Sequence, residues 1–226
     1  MSGIGGSCTC SSPDSHQPGC LFWSGGTPDV SAYNPRAIDI DHSLRLRDEQ
    51  FYLEAQSKSL IVLHHTVGGS AASTVRWWNA DARRIATSYI VERDGTIFKT
   101  FPPQCWAWHL GVKDRGLEKR SIGIELASEG GLELREDALY AFGTRRLGLA
   151  RGLAEIGRVV QVKDGWRGFQ WFDAYEPAQQ TATIELVCWL CEKFDILPRV
   201  PDLADLYAPA DLRRWYGWEG VIHHAM

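Results

Sequence analysis

The sequence predicts an α/β domain built on a mixed central β-sheet flanked by helices, preceded by an irregular N-terminal arm. Three observations carry that expectation. Short apolar runs rich in branched residues alternate with stretches of helical periodicity. One pair of strand-like runs is joined by Asp94-Gly95, a tight-turn dipeptide. The 226 residues suffice for one full core and leave little room for a second large domain.

Residues 1 to about 35 are rich in Gly, Ser, Pro and Cys with little periodic apolar content, so 1–58 is divided off as an irregular arm and lead-in, and 59–226 as the folded domain. Ser59 to Val67 is a continuous apolar run, as expected of a strand buried on both faces, and Gly68-Gly69-Ser70 ends it. Ala71 to Ala82 is helix-compatible, with Ser70 or Ser73 available as a cap. Ser88 to Glu92 and Thr96 to Thr100 are the strands of the hairpin, and Arg120 to Leu126 is a further strand broken by Glu129-Gly130-Gly131. A polar stretch containing Gly and Trp covers about 158 to 172. Pro177 to Phe194 is the clearest helix: proline suits its first turn, and Ile184, Val187, Cys188, Cys191 and Phe194 recur three or four apart.

Composition excludes several classes of function. With 24 basic against 28 acidic residues, a net charge of -4 leaves no electrostatic footprint for nucleic acid. No apolar stretch approaches the roughly eighteen residues of a membrane span. The start lacks the basic lead and apolar run of a secretory signal, so the expectation is cytoplasmic synthesis with action elsewhere after lysis or delivery. Six cysteines divide between the head (Cys8, Cys10, Cys20, with His16 nearby) and the domain. The head spacings match no standard zinc module and read as flexible thiols, while Cys188 and Cys191 read as small buried hydrophobes.

The chemistry-bearing residues lie at strand ends. His64-His65 closes the first buried strand, and neighbours in a strand leave opposite faces, so one site can use only one of them. A second pair, His223-His224, follows Gly220-Val221-Ile222. Distant histidines at strand ends can converge on one metal, although a lone strand-end histidine is more often structural. Glu125 lies opposite the face of Ile122 and Ile124, with Gly123 leaving open space beside it; next to a metal it suits a general base. Trp106-Ala107-Trp108-His109 is an aromatic loop fit for substrate contact or for ordinary packing.

Five segments in order, Ile61-Val62-Leu63-His64-His65-Thr66, Tyr89 to Ile97, Trp106 to Gly111, Ser121-Ile122-Gly123-Ile124-Glu125-Leu126 and Gly220 to His224, resemble the type-2 N-acetylmuramoyl-L-alanine amidases, whose superfamily includes peptidoglycan recognition proteins. The resemblance runs from about Leu60 onward. It implies zinc held by His64 and His224, Glu125 as catalytic base, His109 as a substrate-side or oxyanion-side group, Glu125 or His109 as the group that returns the proton, and Trp106, Trp108, His65 and Thr66 as substrate contacts. The implied partner is peptidoglycan or a muropeptide, cut between N-acetylmuramic acid and L-alanine. The setting fits a phage lysin, an injected effector or a recycling enzyme.

Two departures stand out. Thr87-Ser88 occupies the place where many members carry histidine or tyrosine, and the downstream segment with the third zinc ligand, an aspartate or cysteine, is absent because the chain stops at Met226. The expectation is that the natural protein continues; otherwise His223, His109 or the Met226 carboxylate substitutes. The alternative to an enzyme is a peptidoglycan-binding module with an incomplete metal site, or, on the Cys- and Gly-rich head alone, a structural domain of a larger particle.

Overall fold

A computed structural model describes residues 38–112, 114–202 and 215–224. Cys8, Cys10, His16, Cys20 and Met226 lie outside the described residues.

The central sheet has five strands in the order β10-β1-β4-β2-β3. β1 (Leu60–His65) lies parallel to β10 (Gly220–His223) on one side and to β4 (Ser121–Leu126) on the other. β2 (Tyr89–Val91) runs parallel to β4 and antiparallel to β3 (Ile97–Lys99), so the sheet is mixed as expected. The hairpin between β2 and β3 turns at Asp94-Gly95: Gly95 has φ +91°, and the Asp94 carboxylate accepts the Thr96 N–H at 2.9 Å.

Both faces of β1 are covered, which is why its sequence is continuously apolar rather than alternating. Ile61, with Val221, Ile122, Ile124 and Leu126, packs against α4 (Pro177–Phe194) through Ala182, Leu186, Leu190 and Cys191. Leu60, Val62 and Ile222 pack on the other face against Leu110, Leu117 and Trp215. Farther along, Ile90 meets Ala71, Val75 and Trp78 of α1 (Ala71–Ala80). Ser70 caps α1 by accepting the Ser73 N–H, and the helix ends two residues short of the expected Ala82.

Helix α4 has the predicted bounds and Pro177 in its first turn, and Asp195 closes it in the left-handed region at φ 54°. Its buried stripe is shifted from the expected one. Gln179, Ala182, Thr183, Leu186, Leu190 and Cys191 face the sheet, whereas Ile184, Val187 and Cys188 are half-buried. The reason is a buried polar clamp: the Gln179 amide donates to the carbonyls of Val91 and Ala127, at 2.9 and 3.1 Å, and fixes the helix rotation. Hydrophobic spacing alone does not register a glutamine as an anchor.

Between β4 and α4 the chain builds a second, antiparallel sheet in the order β7-β6-β5-β9-β8. Its strands are β5 (Gly131–Arg135), β6 (Ala138–Ala141), β7 (Arg145–Leu149), β8 (Val159–Trp166) and β9 (Phe169–Asp173), with the short helix α3 (Ala150–Glu155) between β7 and β8. The polar stretch at 158–172 is therefore a hairpin. Its strands escape sequence reading because few of their residues are buried and register shifts interrupt both the β8–β9 and β6–β7 ladders. A small core of Leu132, Leu139, Ala141, Ala150 and Val159 holds the second sheet.

The second sheet is tied to the first by Asp173, whose side chain is fully buried. It pairs with Arg93 of the β2–β3 turn, takes the Arg158 Nε–H at 3.1 Å and accepts the Glu129 N–H at 2.7 Å. On the far side, residues 41–58 run along the domain edge. Asp41 bridges Phe98, Tyr52 bridges Trp106, and Leu46 and Phe51 are buried. Lys58 is also buried, and its three ammonium hydrogens meet the carbonyls of Cys105, Lys119 and Ser121 at 2.9, 2.7 and 3.0 Å. Burial draws its pKa down to about 7, while the three acceptors match the three donors of the charged form. No helix among the described residues is long and apolar enough to cross a membrane.

Two outcomes follow for stability. Lys58→Met leaves three carbonyls without their donor and lowers unfolding free energy by about 3 kcal/mol in denaturant titration. Asp173→Ala strips Arg93 of its buried partner and costs about 3 kcal/mol or more. Hydrogen exchange on this variant should rise first in β5 and β9, the strands that Asp173 docks.

Candidate active site

The site follows from strand register. In a parallel pair, residues at the same level leave the same face. His64 is level with Glu125, and because Leu63 is level with His223, the next residue, His224, falls beside His64. The His224 N–H donates to the Leu63 carbonyl at 2.9 Å, extending the ladder past the end of β10. His64, His224 and Glu125 thus project from one face at the C-terminal ends of three adjacent strands, where α/β sheets assemble ligand sites.

His64 and His224 are buried, at 3% and 9% exposure, and their Nδ1 atoms stand 3.2 Å apart. That spacing is close to the roughly 3.3 Å edge of a tetrahedron with metal–nitrogen bonds of about 2.0 Å. Burial, then the neighbouring His109 and His224, holds the His64 imidazolium well below the ordinary histidine range. His224 is drawn down to about 4, by burial first and by the Arg167 charge second. Both rings are neutral at neutral pH, the form that donates a lone pair to a metal. The pair therefore fits two positions of a zinc shell.

Glu125 is the acidic member of the group. Its Oε2 is occluded and has no hydrogen-bond partner, and burial lifts its pKa to about 8. An unpaired buried carboxyl oxygen is costly in a purely structural role, so the arrangement suits a group whose partner arrives with substrate or water.

The structure places His109 elsewhere than the substrate side. Its Nδ1 lies 2.9 Å from His64 Nε2, on the side of the His64 ring away from His224, and its Nε2 lies 2.8 Å from Ser121 Oγ. One cation cannot use both nitrogens of the His64 ring, so His109 does not join the His64–His224 pair as a third donor, and both of its own ring nitrogens are taken up by His64 and Ser121. The open space predicted beside Gly123 is filled by this ring and by Thr87: a Cβ at Gly123 would stand 2.6 Å from Thr87 Cγ2 and 3.1 Å from His109 Nδ1.

His65 and His223 leave the opposite face, as alternation requires. The His65 ring packs against Gly130, whose φ of +70° and lack of a Cβ permit the contact. Among the described residues no third His, Cys, Asp or Glu completes a metal-holding group.

The expected substrate contacts separate. Trp106 is a core residue, buried and stacked on Tyr52 with ring centroids 4.0 Å apart, because the 41–58 segment covers it. Trp108 is half-buried and donates from Nε1 to the Tyr52 hydroxyl at 3.3 Å. Thr66 fixes the loop after β1, donating to the Gly68 carbonyl at 2.7 Å and accepting the Ser128 N–H at 3.1 Å.

Sequence reasoning missed Ser121 and Glu118 behind the site. Ser121 is a small polar residue opening a strand and carries no spacing signal. Glu118 sits in the charged helix α2 (Arg115–Arg120) and resembles a solvated residue, yet it is fully buried, accepts the N–H groups of His109 and Leu110 at 3.0 and 3.1 Å, and is raised to about 7 by burial.

Comparison with known proteins bears on this geometry. No curated protein matches the chain. Among solved structures it is similar to a mutant endolysin from Bacillus subtilis (23% identity, 40% of this chain and 61% of that one, TM-score 0.34). It is also similar to AmiD from E. coli, solved with anhydro-N-acetylmuramic acid-L-Ala-D-gamma-Glu-L-Lys (21% identity, 70% and 54%, TM-score 0.43). A third is the Staphylococcus aureus hydrolase AmiA in complex with its ligand (12% identity, 84% and 66%, TM-score 0.46). The chain thus spans less than two thirds of the length of each of these proteins. The family model described as N-acetylmuramoyl-L-alanine amidase matches residues 54–224, which takes in both strand-end histidine pairs, the aromatic loop and Glu125. With well over half of its length matched in this way, the chain belongs to the N-acetylmuramoyl-L-alanine amidase family.

Proposed function

We propose that this protein is a zinc-dependent peptidoglycan hydrolase that cleaves the amide between N-acetylmuramic acid and L-alanine of the stem peptide. The observation that carries the reading is the convergence, by strand register, of two neutral histidines and one unpartnered buried carboxyl oxygen on a single face. Family membership supports the bond class.

His64 and His224, whose Nδ1 atoms face each other, would hold the zinc. When bound, the ion supplies Lewis acidity toward oxygen, which makes water a stronger acid and an amide carbonyl a better electrophile. Glu125 takes the proton from the attacking water as the oxygen adds to the carbonyl carbon. The same carboxyl then returns that proton to the nitrogen as the C–N bond breaks, leaving a lactyl carboxylate and a free L-alanine amine. A base that releases its proton again needs a pKa near neutrality, which the burial of Glu125 provides. His109 has no part in that transfer. Trp108 is the aromatic residue of its loop with surface left to meet a sugar or peptide.

Glu125→Gln keeps volume but cannot accept a proton. It should lower release of free amines from purified sacculi by about a hundredfold or more while leaving zinc content unchanged. Retained turnover would remove Glu125 from the mechanism. If the wild-type protein binds sacculi and releases no amine, it is instead a binding module.

The two faces of β1 make a second expectation. His64→Ala should weaken zinc by more than roughly a hundredfold, beyond what an outer partner contributes. His65→Ala should keep zinc and lower the melting temperature by a few degrees, through its lost contact with Gly130. Equal loss of zinc in both folded variants would contradict the assignment.

A further inference from the structure

Behind the His64–His224 pair lies a chain of hydrogen bonds whose direction is fixed at one end. The Ser121 hydroxyl stands 3.0 Å from the carbonyl oxygen of Glu118, and a carbonyl only accepts, so Ser121 donates there. Its one hydrogen being spent, Ser121 Oγ accepts from the ring nitrogen 2.8 Å away, which makes His109 Nε2 the protonated nitrogen. The Glu118 carboxylate, 3.7 Å from the same nitrogen, favours a hydrogen there as well. A neutral imidazole carries one N–H, so His109 Nδ1 has a bare lone pair. At 2.9 Å it accepts from His64 Nε2–H. That leaves the other nitrogen of His64, Nδ1, unprotonated and facing His224.

We infer that Ser121 and His109 are positioning residues that lock His64 in its Nε2–H tautomer and so present the Nδ1 lone pair to the metal.

Without the lock, the two tautomers of a neutral histidine are close in energy, and the Nδ1–H form has no lone pair to give at that position. Ligating histidines commonly donate their second N–H to a carboxylate or carbonyl; here another histidine fills that place, and its own polarity is set by a serine. The fold builds the relay from three places. His109 comes from the loop before α2, Ser121 opens β4, and Gly123, two residues along β4, is bare so that the His109 ring can lie over the strand. The buried Glu118 side chain anchors the His109 backbone from below.

The inference rests on the zinc reading for its consequence, but the tautomer itself is measurable in metal-free protein. Two-bond ¹⁵N–¹H spectra of the apo full chain should show His64 and His109 both protonated on Nε2. His109→Leu removes the acceptor: His64 should then populate both tautomers, and zinc affinity, read by chelator competition, should fall about tenfold to a hundredfold. His109→Asn offers a carbonyl oxygen at the place of Nδ1 and should restore both the His64 spectrum and most of the affinity, which a merely space-filling role would not predict. Ser121→Ala, a small change that keeps the fold, should move part of the His109 population to Nδ1–H.

A wild-type His64 protonated on Nδ1 would overturn the relay. So would a folded His109→Leu protein with wild-type His64 shifts and wild-type zinc affinity. If the apo spectra are as stated and the wild-type protein takes up no zinc, the relay stands and the zinc reading fails.

Discussion

The site depends on the parallel register of β10, β1 and β4. Hydrogen bonding along these ladders sets His64 level with Glu125 and carries His224 to the same level from the other side. The register is held by burial on both faces, since a slip of one residue would turn Ile61 and Val221 away from α4 and send His64 into the apolar layer. The same packing that stabilises the sheet therefore assembles the donors. No loop has to fold back to complete this trio, and its three backbones are held in adjacent parallel ladders.

Burial gives the trio its chemistry. Desolvation keeps the histidines neutral and Glu125 readily protonated, so the groups that would pay the largest penalty as ions are held in the uncharged forms that the proposed metal binding and proton transfer require. Lys58 is the contrasting case. It is buried on the same scale, but three carbonyls converge on its ammonium, and its part is to pin β1, β4 and the aromatic loop together rather than to react.

The second sheet stands beside this frame and is coupled to it through charge. Asp173 ties β9 to the β2–β3 turn, and the loop from β4 into β5 carries Gly130 against His65. At the exposed turn of the β8–β9 hairpin, Arg167 adopts φ 51°, and its charge is felt at both His223 and His224. The elaboration thus borders the site without contributing to the strands that build it.

Much of the frame was written locally. The continuous apolar run of β1, the Asp94-Gly95 turn, the Pro177 helix start and the alternation that separates His64 from His65 and Glu125 from Ile124 all depend on near neighbours in the chain, which the sequence displays. Long-range packing decided the rest. Trp106 is a core residue because a segment some fifty positions earlier lies over it, and Gln179 sets the rotation of α4 because two strand-end carbonyls wait beneath it. Apart from β6, the strands of the second sheet have few buried residues and so leave little pattern. The family resemblance carried by the ordered segments implied His64, His224 and Glu125 as a group, but the place of His109 behind His64 depends on a serine, a buried glutamate and a glycine that carry no signal until the strands are paired. Hydrogen-bond direction is a property of the assembled network, and only the tertiary structure decides it.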